Sequence, residues 1–346
     1  MTKSPTLPIN RNESAVAIEH LKLSYFHFDV ASGKITIPRD FDQITSIPNI
    51  VRISRQLTAG RQALFELSKS STHGYSIVAT GVMREILAMK NWLIEIQPMT
   101  SKGINLEAAI FIDKIQSIAW NATGLFFGID ADQAIRVRDW LNNEVNEFRK
   151  ETNSAEWKKR VRSFYKRITK NFDSIRDYLL DLTSRHKHLQ CVRFDFSTQK
   201  VDKVNFFPPN DDVVSEKIEE WRSKVIRFIK TSAPSGCFVG YVWKINTSMY
   251  QGCRLSIIAF YKSGLNAELE DHKAMVKNHW ENSIVTASGG RCFIDLKYKT
   301  DPVFLVFRSK ERRQSIETIA IAMAKTQIFV RPRSCSRKTV GHGQLS

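Results

Sequence analysis

The chain has 346 residues, a length that suits two domains with real cores, and its 42% hydrophobic and 25% charged residues are those of a globular protein. No run reaches 18 apolar residues, which excludes a membrane-spanning helix, and 15 Gly and 10 Pro exclude a collagen-like or low-complexity chain. Lys and Arg number 52 against 35 Asp and Glu, and a net charge of +17 favours a polyanionic partner, nucleic acid ahead of an anionic membrane.

Residues 1–20 (MTKSPTLPINRNES onward) are polar, contain Pro and lack the apolar stretch of a signal peptide, so a flexible leader is expected. Residues 21–185 read as mostly helical. Apolar residues recur at three- and four-residue spacing over Ile53 to Ser68, Val82 to Ile94, Leu106 to Asn121 and Asp130 to Lys150. A basic helix follows, with Ser154 as N-cap and Lys158, Lys159, Arg160, Arg162, Lys166, Arg167 and Lys170 behind it. Val161, Phe164, Tyr165 and Ile168 form its inward stripe, which leaves a cationic face outward.

The grammar changes near residue 186. Leu189 to Phe196 alternates and reads as a strand. Ser215 to Lys230 is an amphipathic helix. Cys237 to Asn246 and Arg254 to Tyr261 are strands joined by the polar turn Thr247 to Gly252, a β-hairpin. Asn266 to Ser283 is a helix, Cys292 to Leu296 a short strand and Ser315 to Lys325 a final helix. A basic tail at 336–346 closes the chain, and Arg331, Arg333, Arg337 and Lys338 stand at the end with no acid among them. Helices interleaved with antiparallel strands over 186–335 predict an α+β domain behind the helical region.

Chemical motifs are scarce. There is no P-loop, no H-E-x-x-H, no G-x-S-x-G and no Gly-rich dinucleotide fingerprint. Five cysteines are an odd number without a CxxC, which indicates neither a disulfide framework nor a zinc site and suits reduced thiols in a cytoplasm. His186 and His188 could share a strand face, but no third ligand is near in sequence and an exposed basic linker is the simpler reading. Asp211, Asp212, Glu219 and Glu220 suit a helix start and its outer face better than catalysis.

Four segments, taken in order, do carry a signature. Gly240 to Asn246 (GYVWKIN) with Gly252 to Phe260 (GCRLSIIAF) resembles the core hairpin of the inovirus gene-two protein family, also described as the YagK/YfjJ-type C-terminal domain. Val192-Arg193-Phe194-Asp195 resembles its opening Arg-x-Asp strand. Asn278 to Asn282 with Gly289-Gly290 resembles its Trp-ended helix and Gly-rich turn. Lys325 to Gln327, then Arg337 to His342, resembles its closing segment and tail.

The resemblance implies a two-histidine (HUH-type) rolling-circle replication initiator. In such a domain His-x-His and a neighbouring carboxylate hold a divalent metal, and a Tyr attacks a phosphodiester to leave a covalent 5′ link. On this chain the histidine positions fall on Arg254 and Ser256, the carboxylate on Asn246 and the nucleophile on Ala322. Arg has no lone pair to give, and a Ser hydroxyl is a poor ligand. The expected function is therefore a DNA-binding relative of the initiator without nicking activity, cofactor-free, in the cytoplasm of a bacterial host, with single-stranded or hairpin origin DNA as partner. The expected DNA contacts are Lys158, Lys159, Arg162, Lys166, Arg167, Lys170, Arg254, Lys325, Arg331, Arg333, Arg337 and Lys338. One alternative is an active metal-dependent nickase with displaced residues, drawn from Tyr250, Tyr261, Tyr298, His272, His279, Asp295 and Asp301. Another is a protein partner or decoy of an intact initiator, acting through the N-terminal helices.

Overall fold

The structure, a computed structural model, describes residues 9–25, 27–29, 34–36, 45–70, 74–89, 91, 93, 103–122, 130–197, 211–248, 252–264, 266–286, 290–294, 304–306, 311–330 and 339–344. Contacts divide the chain into two units. The first is built on Asp42–Phe164, and the second joins Thr6–Phe41 to Tyr165–Ser346. By contacts the units meet in sequence at 164/165, and Thr6–Phe41 goes with the second.

Part of that segment is helical. Arg11–Tyr25 is helix α1. Asn10 accepts from the Glu13 amide while its own amide donates to the Glu13 carboxylate, both at 2.9 Å, a reciprocal box that satisfies two orphan amides. A short hairpin follows, β1 (His27–Asp29) with β2 (Lys34–Thr36).

In the first unit, α2 (Ile47–Ala59) buries Ile50, Val51, Ile53 and Leu57. The expected helix through Ser68 ends at Ala59, and β3 (Phe65–Ser70) pairs with β4 (Gly74–Ala79) instead. The side chain of Asn142 sets the start of that hairpin: its Oδ1 accepts from the Leu64 and Phe65 amides, and its Nδ2 donates to the Phe65 carbonyl. Next come α3 (Val82–Ala88), α4 (Leu106–Ala122), α5 (Ala131–Asn153) and α6 (Ala155–Arg185). Asp130 caps α5 through the Gln133 amide, and Ser154 caps α6 through the Trp157 amide at 3.1 Å, as expected for Ser154.

The second unit holds an antiparallel sheet. Its strands are β5 (His188–Ser197), β6 (Phe238–Ser248), β7 (Gly252–Lys262), β8 (Cys292–Ile294), β9 (Phe304–Val306) and β10 (Val340–His342). Their order is β10-β6-β7-β5-β8, and β9 pairs with the other half of the β5 edge that β8 uses. Part of the expected basic tail is therefore a sheet strand: β10 pairs with Val242–Lys244, and His342 stacks on Tyr178 at 4.4 Å. The helices are α7 (Asp211–Ser232), α8 (Asn266–His279), a π turn at Trp280–Ile284, α9 (Glu311–Ala324) and a 3₁₀ turn at Lys325–Ile328.

Alternation along each strand gives the sheet two unlike faces. One carries Phe194, Phe196, Ile257, Leu255, Trp243 and Ile245 and packs with Ile218 and Val225 of α7, Val276 of α8 and Trp280. Two glycines of the resembling segments have a packing reason. A Cβ on Gly240 would meet the Tyr178 hydroxyl at 2.2 Å, and one on Gly290 would meet the Ser197 carbonyl oxygen at 2.3 Å. The other face is polar, and it holds every position to which the resemblance assigns a metal ligand.

Candidate nucleic-acid interface

Register places Asp195, Ser256 and Lys244 in one cross-strand row and Ser197, Arg254 and Asn246 in the next, all on the polar face. Each is buried. The Arg193 guanidinium donates to Asp195 at 2.7 Å, and the Ser256 hydroxyl donates to the same carboxylate. Lys244 donates to the Ala322 carbonyl of α9 at 2.7 Å. Burial pulls the Asp195 carboxyl up, but Arg193 and Arg254 beside it and the donated hydrogen bonds outweigh this and hold its pKa below the ordinary value. Burial lowers Arg254 to about 10, against the opposing pull of Asp195.

A divalent cation does not fit this arrangement. Two cations, Arg193 and Arg254, flank the one carboxylate, which already accepts from Arg193 and Ser256, so the local field repels a metal ion. Among the described residues no group of three or more His, Cys, Asp or Glu is placed to hold a metal. The nucleophile position, Ala322, is buried, and its carbonyl accepts from Lys244 and Thr326.

Helix α1 packs against α9, the 3₁₀ turn and β6. Its half-buried Glu13 forms an ion pair with the buried Lys325, whose ammonium also lies 4.3 Å from the Phe172 ring centre. Its His20 Nδ1 lies 3.1 Å from Arg193 Nη1. This corrects two expected DNA contacts: Arg254 and Lys325 are buried and ion-paired or clustered inside the unit, so they support the fold and do not face a ligand. The sequence signal that was missed is the Asn10-x-x-Glu13 capping box, which marks α1 as ordered.

Arg193 can only donate, so His20 Nδ1 accepts and the ring is neutral. Burial, then Arg193 and Lys244, lower its pKa well below the ordinary value, with Asp195 opposing. The folded state therefore refuses a proton that the unfolded chain takes up below about pH 6.5. Stability is fully present above that pH and is lost as pH falls, by about 1.4 kcal/mol per unit from this group alone. His20→Gln is expected to flatten this slope. Urea midpoints of both full-length chains between pH 7.5 and 5 test it; parallel slopes would contradict the assignment.

Of the residues named for a displaced nickase, Tyr261, His272 and His279 are among the described ones. Tyr261 and His272 are buried with the hydroxyl and Nε2 3.0 Å apart, and His279 stacks on Phe228 at 3.9 Å. Tyr250, Tyr298, Asp295 and Asp301 lie outside the described residues, as do Arg331, Arg333, Arg337 and Lys338. His188 begins β5 exposed, and Glu220 pairs with Lys224 across one helical turn.

Helix α6 is different. It buries Trp157, Val161, Tyr165, Ile168, Phe172 and Ile175, a stripe of three- and four-residue spacing, as expected. The opposite side is cationic: Lys159, Arg162, Lys166, Arg167 and Lys170 are exposed and Lys158 is half-buried. Of these, Lys158 and Arg162 line a cleft of about 1030 Å³ within the first unit, together with Arg55, Arg61, Arg149 and Lys150. Sequence reasoning singled out none of the last four, because they come from α2, the segment after it and α5, and only folding brings them together.

Among the described residues no helix is long and apolar enough to cross a membrane. Comparison of the chain with family models, with curated proteins and with solved structures returned no match.

Proposed function

We propose that this chain is a DNA-binding relative of the rolling-circle initiators that holds its nucleic acid without cutting it. One observation carries the reading: the outward cations of α6, half-buried Lys158 and exposed Arg162, Lys166 and Lys170 at helical spacing with Lys159 and Arg167 beside them, sit on a helix pinned by a buried apolar stripe. Such a row can neutralise consecutive phosphates, and each neutralised phosphate releases a counterion. The buried charge cluster at the initiator-like site supports binding without cleavage, because it offers a phosphodiester neither a metal nor a nucleophile.

The test is fluorescence anisotropy on single-stranded, duplex and hairpin DNA across a salt series, with a denaturing gel of the same samples in Mg²⁺ or Mn²⁺. Tight binding with uncut DNA is expected. Lys166→Gln with Lys170→Gln, and separately Lys158→Gln with Arg162→Gln, should each reduce the log–log salt slope by about 0.9 for every duplex phosphate that the variant no longer neutralises. Metal-dependent nicking, or a slope that neither pair changes, would sink the reading. Arg254→Ala is expected to lower stability, not to alter the salt slope, since its side chain is buried.

A further inference from the structure

The first unit contains a buried cation that no carboxylate among the described residues neutralises. Arg149 is only 8% exposed, and burial lowers its pKa. Its Nε donates to the Leu57 carbonyl at 3.0 Å and its Nη1 to Asn146 Oδ1 at 3.2 Å. Both partners are neutral. Among the described residues no carboxylate pairs with Arg149. The nearby acid, Glu107, is taken by Arg55, which holds it through two hydrogen bonds of 2.9 and 2.8 Å. A guanidinium this withdrawn from water gains most from an anion of its own.

The remaining nitrogen, Nη2, is 3.2 Å from where a Cβ on Gly60 would stand, and Arg149 and Gly60 both line the 1030 Å³ cleft. The absent side chain at Gly60 leaves that wall open. Arg61 and Arg162, both exposed, and Lys158 add charge at the rim, so six basic side chains line the cleft against the single carboxylate of Glu107. Trp157 brings the first turn of α6, the positive end of a 31-residue helix, to the same space.

We infer that this cleft is a phosphate-binding site anchored by Arg149 and rimmed by Arg61, Lys158 and Arg162. A guanidinium held at Nε and Nη1 by neutral groups keeps its remaining N–H donors, two of them on Nη2, in fixed directions, and a phosphate oxygen supplies the charge that the protein withholds. The phosphate comes either from a nucleic-acid strand or from a free nucleotide. The site stands on its own geometry and does not require α6 to bind a duplex.

The test uses the full chain and sodium pyrophosphate, with NaCl matched in ionic strength. Pyrophosphate is expected to raise the melting temperature beyond the chloride control, and calorimetry should show binding at least tenfold weaker in Arg149→Met. That variant removes a buried charge while keeping much of the volume, so its stability without pyrophosphate should equal or exceed that of the parent. Should Arg149→Met fail to fold, Arg61→Gln with Arg162→Gln, both exposed, decides: a several-fold weaker affinity supports the site. No pyrophosphate effect beyond chloride, or undiminished binding in either variant, overturns it. Competition separates the sources. A 5′-phosphorylated oligonucleotide displacing pyrophosphate better than its 5′-hydroxyl twin assigns the site to nucleic-acid ends, and ATP as the better competitor assigns it to free nucleotides.

Discussion

Asp195→Asn is expected to destabilise the C-terminal unit by about 3–5 kcal/mol, the cost of leaving a buried charge without its partner. Asp195 is the carboxylate between Arg193 and Arg254 and accepts from Arg193 and Ser256. An amide keeps the size but loses the charge, and its NH₂ would point at a donor. Arg254→Met should cost less, because Asp195 retains Arg193. Urea unfolding of the full chain, with hydrogen exchange followed on the β5–β7 peptides, ranks the two. An Arg254→Met chain that is less stable than Asp195→Asn would show that Asp195 is not the counter-charge. The pH sign is consistent: a carboxylate held below its ordinary pKa stabilises the fold above the carboxylate range, and that stability is lost as pH falls through it. The His20 loss begins higher, below about pH 6.5, so the two groups separate in a pH series.

Trp280→Ala is expected to cost about 3–5 kcal/mol, the range for deleting a large aromatic from a core that cannot collapse around the void. Trp280 is fully buried, 4.6 Å ring to ring from Phe196 and 6.4 Å from Trp221. Its indole N–H donates to the Ser197 carbonyl at 3.1 Å, on the last residue of β5. Trp280→Phe keeps most of the apolar surface and loses that hydrogen bond, so a cost of about 1–2 kcal/mol is expected. Equal losses for the two variants in urea unfolding would mean that packing contributes little here.

Much of the second unit could be read from local pattern. The alternation of β5, β6 and β7, the polar turn between the last two and the stripes of α7 and α8 are each short-range signals, and the strands and helices lie where the pattern placed them. Ser154 and the inward stripe of α6 were likewise legible, because a cap and a 3.6-residue period are written in one stretch of chain. The β3–β4 hairpin was not. Its residues continued an apolar spacing that fitted a helix, and what ends α2 and starts β3 includes the amide of Asn142, nearly eighty positions away.

The sequence by itself determined the excess of positive charge, the outward cations of α6 and the absence of histidine, carboxylate and tyrosine from the positions the resemblance marks. Residue identity and spacing are enough for those statements. The tertiary structure decided which cations meet solvent. Arg254 and Lys325 look as available as Lys166 in one dimension, yet α1 and α9 cover the polar sheet face and bury them with Asp195 and Glu13. Arg149 carries no local sign of its burial, and its two neutral partners among the described residues meet it only once α2 and α5 have packed together. Burial and charge balance are sums over neighbours that the chain folds together from distant positions, so no window of sequence contains them.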